Sequence, residues 1–365
     1  MKRIIKMTFT IVIVAFLLCI VLVGSYVGYV SMQYYRIDDL QEIMVENNKE
    51  GEINADGTFS AITYNIGFGA YNHDFSFFMD KGTMLNGEEV AGSNSKAASK
   101  DVVLLNTNGA LATVSEYDAD FYLFQEVDTK STRSHKVNQF EILKNLGNDY
   151  SASYAVNFHS AFLLYPFNDF HGKSNSGIST FSKYDILSST RYSFPVDDSF
   201  PNKFFDLDRC FMLSRLPMSN GKQLVMINLH MSAYDEGGSI RALQLARLNQ
   251  ILAEEYQKGN YVIAGGDFNH DIANSLNSFA TEQEVPEWVF VLTDNDLAEG
   301  FSFAAPTNAP TCRSTDMPYV KGVNYSVVLD GFIVSDNISV TNVTTIDNDF
   351  LYSDHNPVRL EFSFN

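Results

Sequence analysis

The chain has 365 residues, 45% hydrophobic and 19% charged, with 29 Phe and 19 Tyr; this make-up belongs to a globular protein with a substantial core, one large domain or two ordinary ones. The formal net charge is −19, and because Lys2, Arg3 and Lys6 precede a long apolar stretch, the body that follows is more acidic still. That excludes the broad basic footprint of a sequence-reading nucleic-acid binder, but not a nuclease chemistry in which divalent cations and one local patch hold the phosphate.

Thr8 to Val30 is a run of 23 residues without a charge. As a helix it would be roughly 35 Å long, enough to cross a bilayer. The preceding bases predict a cytoplasmic residue 1–7 segment, a transmembrane anchor over 8–30 and an extracytoplasmic remainder. The rival is a cleaved signal peptide and a secreted protein, with Val23-Gly24-Ser25 as a passable cleavage site. Continuation of the run to Val30, with Tyr26 and Tyr29 placed as interface anchors, favours the uncleaved form. Residues 31–58 are polar and acidic, with Asn47-Asn48, Gly51 and Gly57 as breakers, and read as a stalk; Asp39 to Val45 can add an outer strand. Cys19 lies in the apolar run. Cys210 and Cys312 can pair outside the cytoplasm, but two cysteines make no framework, and buried free thiols are expected.

Residues 59–365 mix strands and helices. Phe59–Ile66 reads as a strand, Gly67–Lys100 as a long aromatic-containing connection, Asp101–Tyr117 as a helix and Phe121–Phe124 as a buried strand leading to Gln125-Glu126. A short helix at 137–146 follows. Strands are expected at 151–158, 177–181, 184–192, 210–216 and 223–229, with an aromatic loop at 165–170. Ser239–Gln257 reads as an amphipathic helix whose buried face carries Ile240, Leu243, Ala246 or Arg247, and Ile251. Tyr261-Val262-Ile263-Ala264 is a buried strand expected to end in a turn at Gly265-Gly266. Strands at 327–334, 338–343 and 358–364 close the chain. Hairpin-like succession with a few helices predicts two mixed sheets face to face with helices outside.

Several apolar strands end in a polar residue that chemistry can use. Asn65 closes ITYNI, Glu126 closes FYLFQE, His230 closes LVMINLH, and Asp267 and Asn269 follow YVIAGG. Asp330 lies inside VVLDGFIVS, and Asp354-His355 precede the last strand. Each has a plain reading as a turn, cap or surface residue or, for His230, as a satisfied core or rim histidine; Asp330 is the hardest to dismiss, because a carboxylate inside a strand needs a partner. Together they offer oxygens for a metal (Glu126, Asn65, Asp267, Asp354), two histidines that titrate near neutrality, and a carboxylate to orient one of them.

In this order the segments TYNIGFG, FQEVD, INLH, GGDFN, VVLDGFIVS and SDHNPV resemble the endonuclease/exonuclease/phosphatase superfamily, which includes DNase I-like nucleases and neutral sphingomyelinases. The resemblance implies a four-layer α/β sandwich with two central mixed β-sheets. It implies Glu126 as principal Mg2+ ligand (Mn2+ or Ca2+ as substitutes), with Asn65 beside it and Asp354 as an occasional ligand. It implies His355 as catalytic histidine oriented by Asp330, Asp267 and Asn269 as the water-orienting and phosphate-contacting pair, and His230 as a further catalytic and substrate-binding group. Arg241, Asn175, Lys173 and Arg313 are weaker substrate contacts; an ion pair is the plainer role for Arg241, and solvated surface for the other three. The expected function is a Mg2+-dependent phosphoesterase, membrane-anchored or exported, acting on a lipid or small phosphodiester. Alternatives are an exported DNase I-like endonuclease and a non-catalytic surface-binding domain on the same fold. No nucleotide cofactor is indicated.

Overall fold

The computed structural model describes residues 1–233 and 238–365. Helix α1, Lys2–Gln33, leads the chain. It is long and apolar enough to cross a membrane, and its most apolar window is not buried by the rest of the protein.

The first strands are β1 (Gln41–Ile43), β2 (Val45–Glu46), β3 (Thr58–Asn65), β4 (Lys81–Thr83), β5 (Glu89–Ala91) and β6 (Phe121–Asp128). Next come β7 (Ser151–His159), β8 (Asn175–Ser182), β9 (Ser188–Ser193), β10 (Cys210–Pro217), β11 (Gln223–His230) and β12 (Tyr261–Asp267). The last are β13 (Phe301–Ala304), β14 (Cys312–Arg313), β15 (Ser326–Val327), β16 (Asp330–Ser335), β17 (Ile338–Thr345) and β18 (Val358–Phe364). The remaining helices are α2 (Lys100–Ser115), α3 (Gln139–Leu143) and α4 (Ser239–Gln257).

Two seven-stranded sheets form the body, in the orders β1-β9-β10-β11-β12-β16-β13 and β17-β18-β3-β6-β8-β7-β2. Each holds one parallel pair, β11 with β12 and β3 with β6, among antiparallel neighbours. A parallel pair needs a crossover, and α4 and α2 supply the two. Between the sheets lie Phe59, Ala61, Phe121, Leu123, Met226, Ile263, Phe332 and Leu360. Alternate residues face outward: Val225, Ile227, Val262 and Ala264 meet Leu248, Ile251 and Leu252 of α4. Likewise Ile62, Tyr64, Tyr122 and Phe124 meet Ala110, Leu111 and Val114 of α2 and Phe140 and Leu143 of α3. The result is the expected four-layer α/β sandwich. One polar group bolts the two sheets together. Buried Asn228 on β11 donates to the carbonyl oxygens of Phe124 and Ser179 at 3.2 and 2.9 Å and accepts from Gln125 at 2.8 Å.

The structure differs from the sequence reading in several places. The outer strand allowed for 39–45 is present as β1, an edge strand on the first sheet, but the rest of 31–58 is not a free stalk: β2 is an edge strand on the second sheet, and Ile53 is in the inter-sheet core. Strand β12 does not stop at Ala264 but runs through both glycines to Asp267. They are needed for close approach, since a Cβ at Gly266 would strike the Leu229 carbonyl and one at Gly265 the Phe332 ring. The 184–192 strand begins at Ser188, and the 327–334 strand breaks between β15 and β16. The buried face of α4 carries Arg241, Gln244, Leu248, Ile251, Leu252 and Glu255, while Leu243 is exposed. Polar groups go inside when they find partners: Glu255 takes two 2.7 Å hydrogen bonds from Arg215. The aromatics Phe68, Tyr71, Phe75 and Phe77 of the 67–100 connection form a small core of their own. Cys210 and Cys312 are buried free thiols.

Candidate active site

The two parallel pairs end side by side. His230 of β11 is in register with Asp267 of β12, and Asn65 of β3 with Gln125 of β6. The carboxyl ends of strands joined by crossover helices are where such sheets place ligands.

On the first sheet Asp267 is the hub. Its Oδ1 accepts the Asn269 backbone N–H at 2.8 Å, with Asn269 held at φ 51°; an asparagine tolerates that left-handed turn. Its Oδ2 accepts from Asn65 Nδ2 at 2.9 Å and lies 3.4 Å from His230 Nε2 and 3.7 Å from His355 Nε2. The Asn269 amide is turned away, donating to the Met231 carbonyl at 2.8 Å.

His355 precedes β18, and its Nδ1 donates to Asp330 Oδ2 at 2.8 Å. Thr311 fixes Asp330 by accepting its backbone N–H at 3.0 Å, and its carbonyl accepts from Asn356 at 2.7 Å. Burial opposes a charged His355, but Asp330, Cys312, Asp267 and Asp354 outweigh it and hold the imidazolium well above the usual histidine range. Asp330 is pushed up by burial against the pull of His355; the pair is a carboxylate and an imidazolium at neutral pH. A charged ring has no lone pair at Nε2. The 3.5 Å approach of Asn65 Nδ2 to His355 Nε2 is therefore two donors converging on Asp267. His230 is the opposite case: burial first, then Arg209, His355 and Arg133, hold it well below the usual range, so it is neutral. Its Nδ1 has no hydrogen-bond partner among the described residues.

The second sheet brings Glu126. The register of β6 against β8 slips between Phe124 and Val127, and Glu126 sits at φ 55°. Such a bulge re-aims a side chain. Glu126 is half-buried, and among the described residues no hydrogen bond or ion pair reaches its carboxylate. Burial pushes it up to about 7, Asp354 adds to the rise, and Arg133, Arg209 and His355 oppose it. Asp354 is also raised, by burial against His355 and Arg313, and Ser353 donates to it at 3.2 Å.

Each half offers carboxylate oxygens to a divalent cation. Asp267, Asp330 and His355 bring ligand atoms within 4.8 Å of one another, so this acidic and histidine cluster is compact enough to hold an ion. Asp330 Oδ2, however, is already hydrogen-bonded to His355 and both Asp267 oxygens to Asn65 and Asn269, leaving Asp330 Oδ1 as its one carboxylate oxygen without a partner among the described residues, and a protonated imidazole cannot ligate. Glu126 with Asp354 nearby is the better fit: two carboxylates raised together, one of them unbonded, are what a cation relieves.

The weaker candidates scatter. Arg241 is buried, donating to the Trp288 carbonyl at 2.8 Å and stacking over Phe290 at 4.4 Å. Arg313 is buried rather than solvated, donating to the carbonyls of Tyr71, Asn72 and Ser314 at 3.4, 3.1 and 3.1 Å. Lys173 is exposed. Asn175 opens β8 opposite the end of β7, half-buried, its Oδ1 without a partner among the described residues. Sequence reasoning missed Arg133, which forks onto Asp128 at 3.1 and 2.9 Å and lies over the Phe68 ring at 3.9 Å. It also missed Arg209, whose charge reaches both Glu126 and His230. Single arginines in loops carry no spacing signal; only their nearness to FQEVD and to a strand start pointed to them.

The sandwich and the strand-end cluster together define a phosphoesterase-type fold. The Endonuclease/Exonuclease/phosphatase family matches residues 62–355, and the chain belongs to that family, whose members are phosphoester hydrolases. Among curated proteins it is similar to an inositol phosphosphingolipids phospholipase C of Schizosaccharomyces pombe, 25% identical over 210 residues. That match spans 51% of this chain and 45% of the relative, less than half of its length. Among solved structures it is similar to an endonuclease/exonuclease/phosphatase from Beutenbergia cavernae, with a TM-score of 0.54 at 13% identity, covering 84% of this chain and 72% of that one. A family protein from Leptotrichia buccalis gives 0.53 at 15% identity over 84% of this chain and 100% of that one. At such identities the structural likeness speaks for the fold alone.

Proposed function

We propose that this protein is a Mg2+-dependent phosphoesterase that acts outside the cytoplasm from a membrane anchor, with a lipid phosphodiester as substrate. One observation carries the reading: a hydrogen-bonded Asp330–His355 pair, with Asp267 3.7 Å from His355 Nε2, is accompanied by a carboxylate, Glu126, that takes no hydrogen bond among the described residues. The apolar α1 and the likeness to a protein named as a phospholipase C support the lipid.

Glu126 would hold the cation, with Asn65 and Asp354 as further candidate ligands, and a bound ion would supply Lewis-acid polarisation of a phosphoryl group. The chain's own groups do the rest. Asn65 Nδ2 and the Nε2 atoms of His355 and His230 converge on Asp267 Oδ2. Those donors are already set for the oxygens of a phosphoryl group, and preorganised donors stabilise developing negative charge most effectively. Asp267 accepts hydrogen bonds on both oxygens and orients the attacking water. The imidazolium of His355, kept charged by Asp330, stabilises the negative charge that builds on the phosphoryl oxygens, and the neutral His230 contributes its Nε2–H as a further donor.

Glu126→Gln and His355→Ala should abolish hydrolysis of a soluble phosphodiester while the circular dichroism spectrum stays that of the parent. Full activity in both variants sinks the assignment. Side-by-side assay on sphingomyelin, inositol phosphates and plasmid DNA tests the substrate; nicking of DNA without lipid turnover replaces the lipid reading with the nuclease one.

A further inference from the structure

Two loops at the catalytic end of the sandwich are unusually apolar for exposed segments. The first, 160–174, joins β7 to β8, where His159 pairs with Asn175 and Ser176 pairs with Asp128 of the Glu126 strand. The second, 194–209, joins β9 to β10, next to the strand that ends in His230. Phe167 is 80% exposed, Phe200 68% and Tyr165 60%, and Phe170 and Phe205 are exposed as well. Large rings left in water on two neighbouring loops mark an interaction surface.

Helix α1 says what covers them. Tyr26 OH donates to the Phe162 carbonyl and accepts from Leu164 N–H, both at 3.2 Å. Tyr29 OH accepts from Phe162 N–H at 3.2 Å. Tyr34, just past the helix, packs edge-on against Phe204 at 5.5 Å, and Arg36 donates to Asp198 and Asp208 of the second loop at 3.0 and 3.2 Å. Both loops thus flank the end of α1. The contact level matters most. Tyr26 lies inside the charge-free run, about 10 Å below Gln33 at 1.5 Å per residue. A loop bonded to the helix at that level shares its depth, and Tyr and Phe are favoured at the membrane–water boundary. The loops carry Asp169, Asp197, Asp198, Asp206 and Asp208 against Lys173, Lys203 and Arg209, so apolar insertion, not attraction to anionic lipid, holds them there.

We propose that the catalytic end of the sandwich rests on the bilayer crossed by α1, with both aromatic loops in its interface. The site then takes its phosphodiester from a lipid headgroup of the same membrane. This rests on the membrane-anchor reading above and goes beyond it by fixing which end of the domain faces the lipid.

The test uses the full chain reconstituted in phosphatidylcholine vesicles, with Trp288→Phe as background so that one introduced tryptophan reports. Phe167→Trp probes the loop, and Lys222→Trp probes the β10–β11 turn at the opposite end of the first sheet. Brominated phosphatidylcholine should quench the first at least about threefold more than the second, as expected for a ring in the interface. Equal quenching with an intact N-terminus by mass spectrometry overturns the docking and leaves the anchor standing. A mature chain from cells that lacks residues 1–30 overturns both. In activity, Tyr165→Ser/Phe167→Ser should lower turnover of a bilayer phosphodiester at least about tenfold, the scale of losing two buried aromatics from an interface. Turnover of a soluble phosphodiester should be unchanged. An equal loss on both substrates contradicts the docking, whereas no turnover of either by the parent refutes the phosphoesterase reading and leaves the quenching result to judge the surface.

Discussion

The two sheets contribute the same device to the site, a parallel pair of strands ending in polar residues, and yet the two ends are finished differently. At β11 and β12 the side chains are bonded to one another: Asp267 holds Asn65 and the Asn269 backbone, and Asp330 holds His355. At β6 a bulge leaves Glu126 without a hydrogen bond among the described residues, and burial and Asp354 lift it to about 7. A hydrogen-bonded cluster fixes protonation states and donor directions even though Asp330 Oδ1 and His230 Nδ1 have no partner among the described residues; a carboxylate with no hydrogen bond at all is the one that a cation would relieve most. In the proposed reading this difference gives the chemistry to the first end and the metal to the second.

The largest way to break this comparison is His355→Ala. It should lower kcat on a soluble phosphodiester by about a thousandfold or more, within the range of a lost general acid or electrostatic donor, with the metal-induced thermal shift retained. Asp330→Asn keeps the ring in place but withdraws the charge that favours the imidazolium. It should cost about a hundredfold in kcat and move the alkaline limb of the pH–rate profile to lower pH; an unchanged limb refutes the pairing as the source of the His355 charge.

Next come effects on stability. Asn228→Ala removes the bolt between the sheets and takes a donor from two buried carbonyls, while the Gln125 amide keeps Thr63 and the Leu123 carbonyl, so urea unfolding should show a loss of about 2 to 4 kcal/mol. A loss under 1 kcal/mol would mean that water replaces it. The smallest effect concerns His171, whose Nδ1 donates to the Ser95 carbonyl at 2.8 Å. Burial, with Arg133, depresses it to about 4 from 6.5. A histidine depressed by folding stabilises the native state fully above its unfolded value, and this contribution fades as pH falls from about 6.5 towards 4. His171→Gln should flatten that part of the stability curve by on the order of 2 kcal/mol; an identical acid slope in the variant removes His171 as its cause.

Much of this was legible in the sequence, for a physical reason. Asn65, His230, Asp267, Asp330 and His355 each sit at or beside an apolar strand, where hydropathy contrast marks a polar residue and fold geometry then gathers strand ends. What was not legible depends on contacts between distant segments. Arg133 gains its meaning from Asp128 and Phe68, and Asn228 from carbonyls on another sheet, so neither stands out from its neighbours. The α4 face was misjudged because Arg241, Gln244 and Glu255 are buried by partners that a hydropathy pattern does not see. The glycines of β12 look like a turn, yet they serve the approach of Leu229 and Phe332.

Mg2+ binding measured by calorimetry on the parent, Glu126→Gln and Asp330→Asn proteins tests the central assignment most directly. Loss of binding in Glu126→Gln, with binding kept in Asp330→Asn, is the predicted result. Loss in Asp330→Asn with binding kept in Glu126→Gln would put the ion in the Asp267–Asp330–His355 cluster and contradict the account.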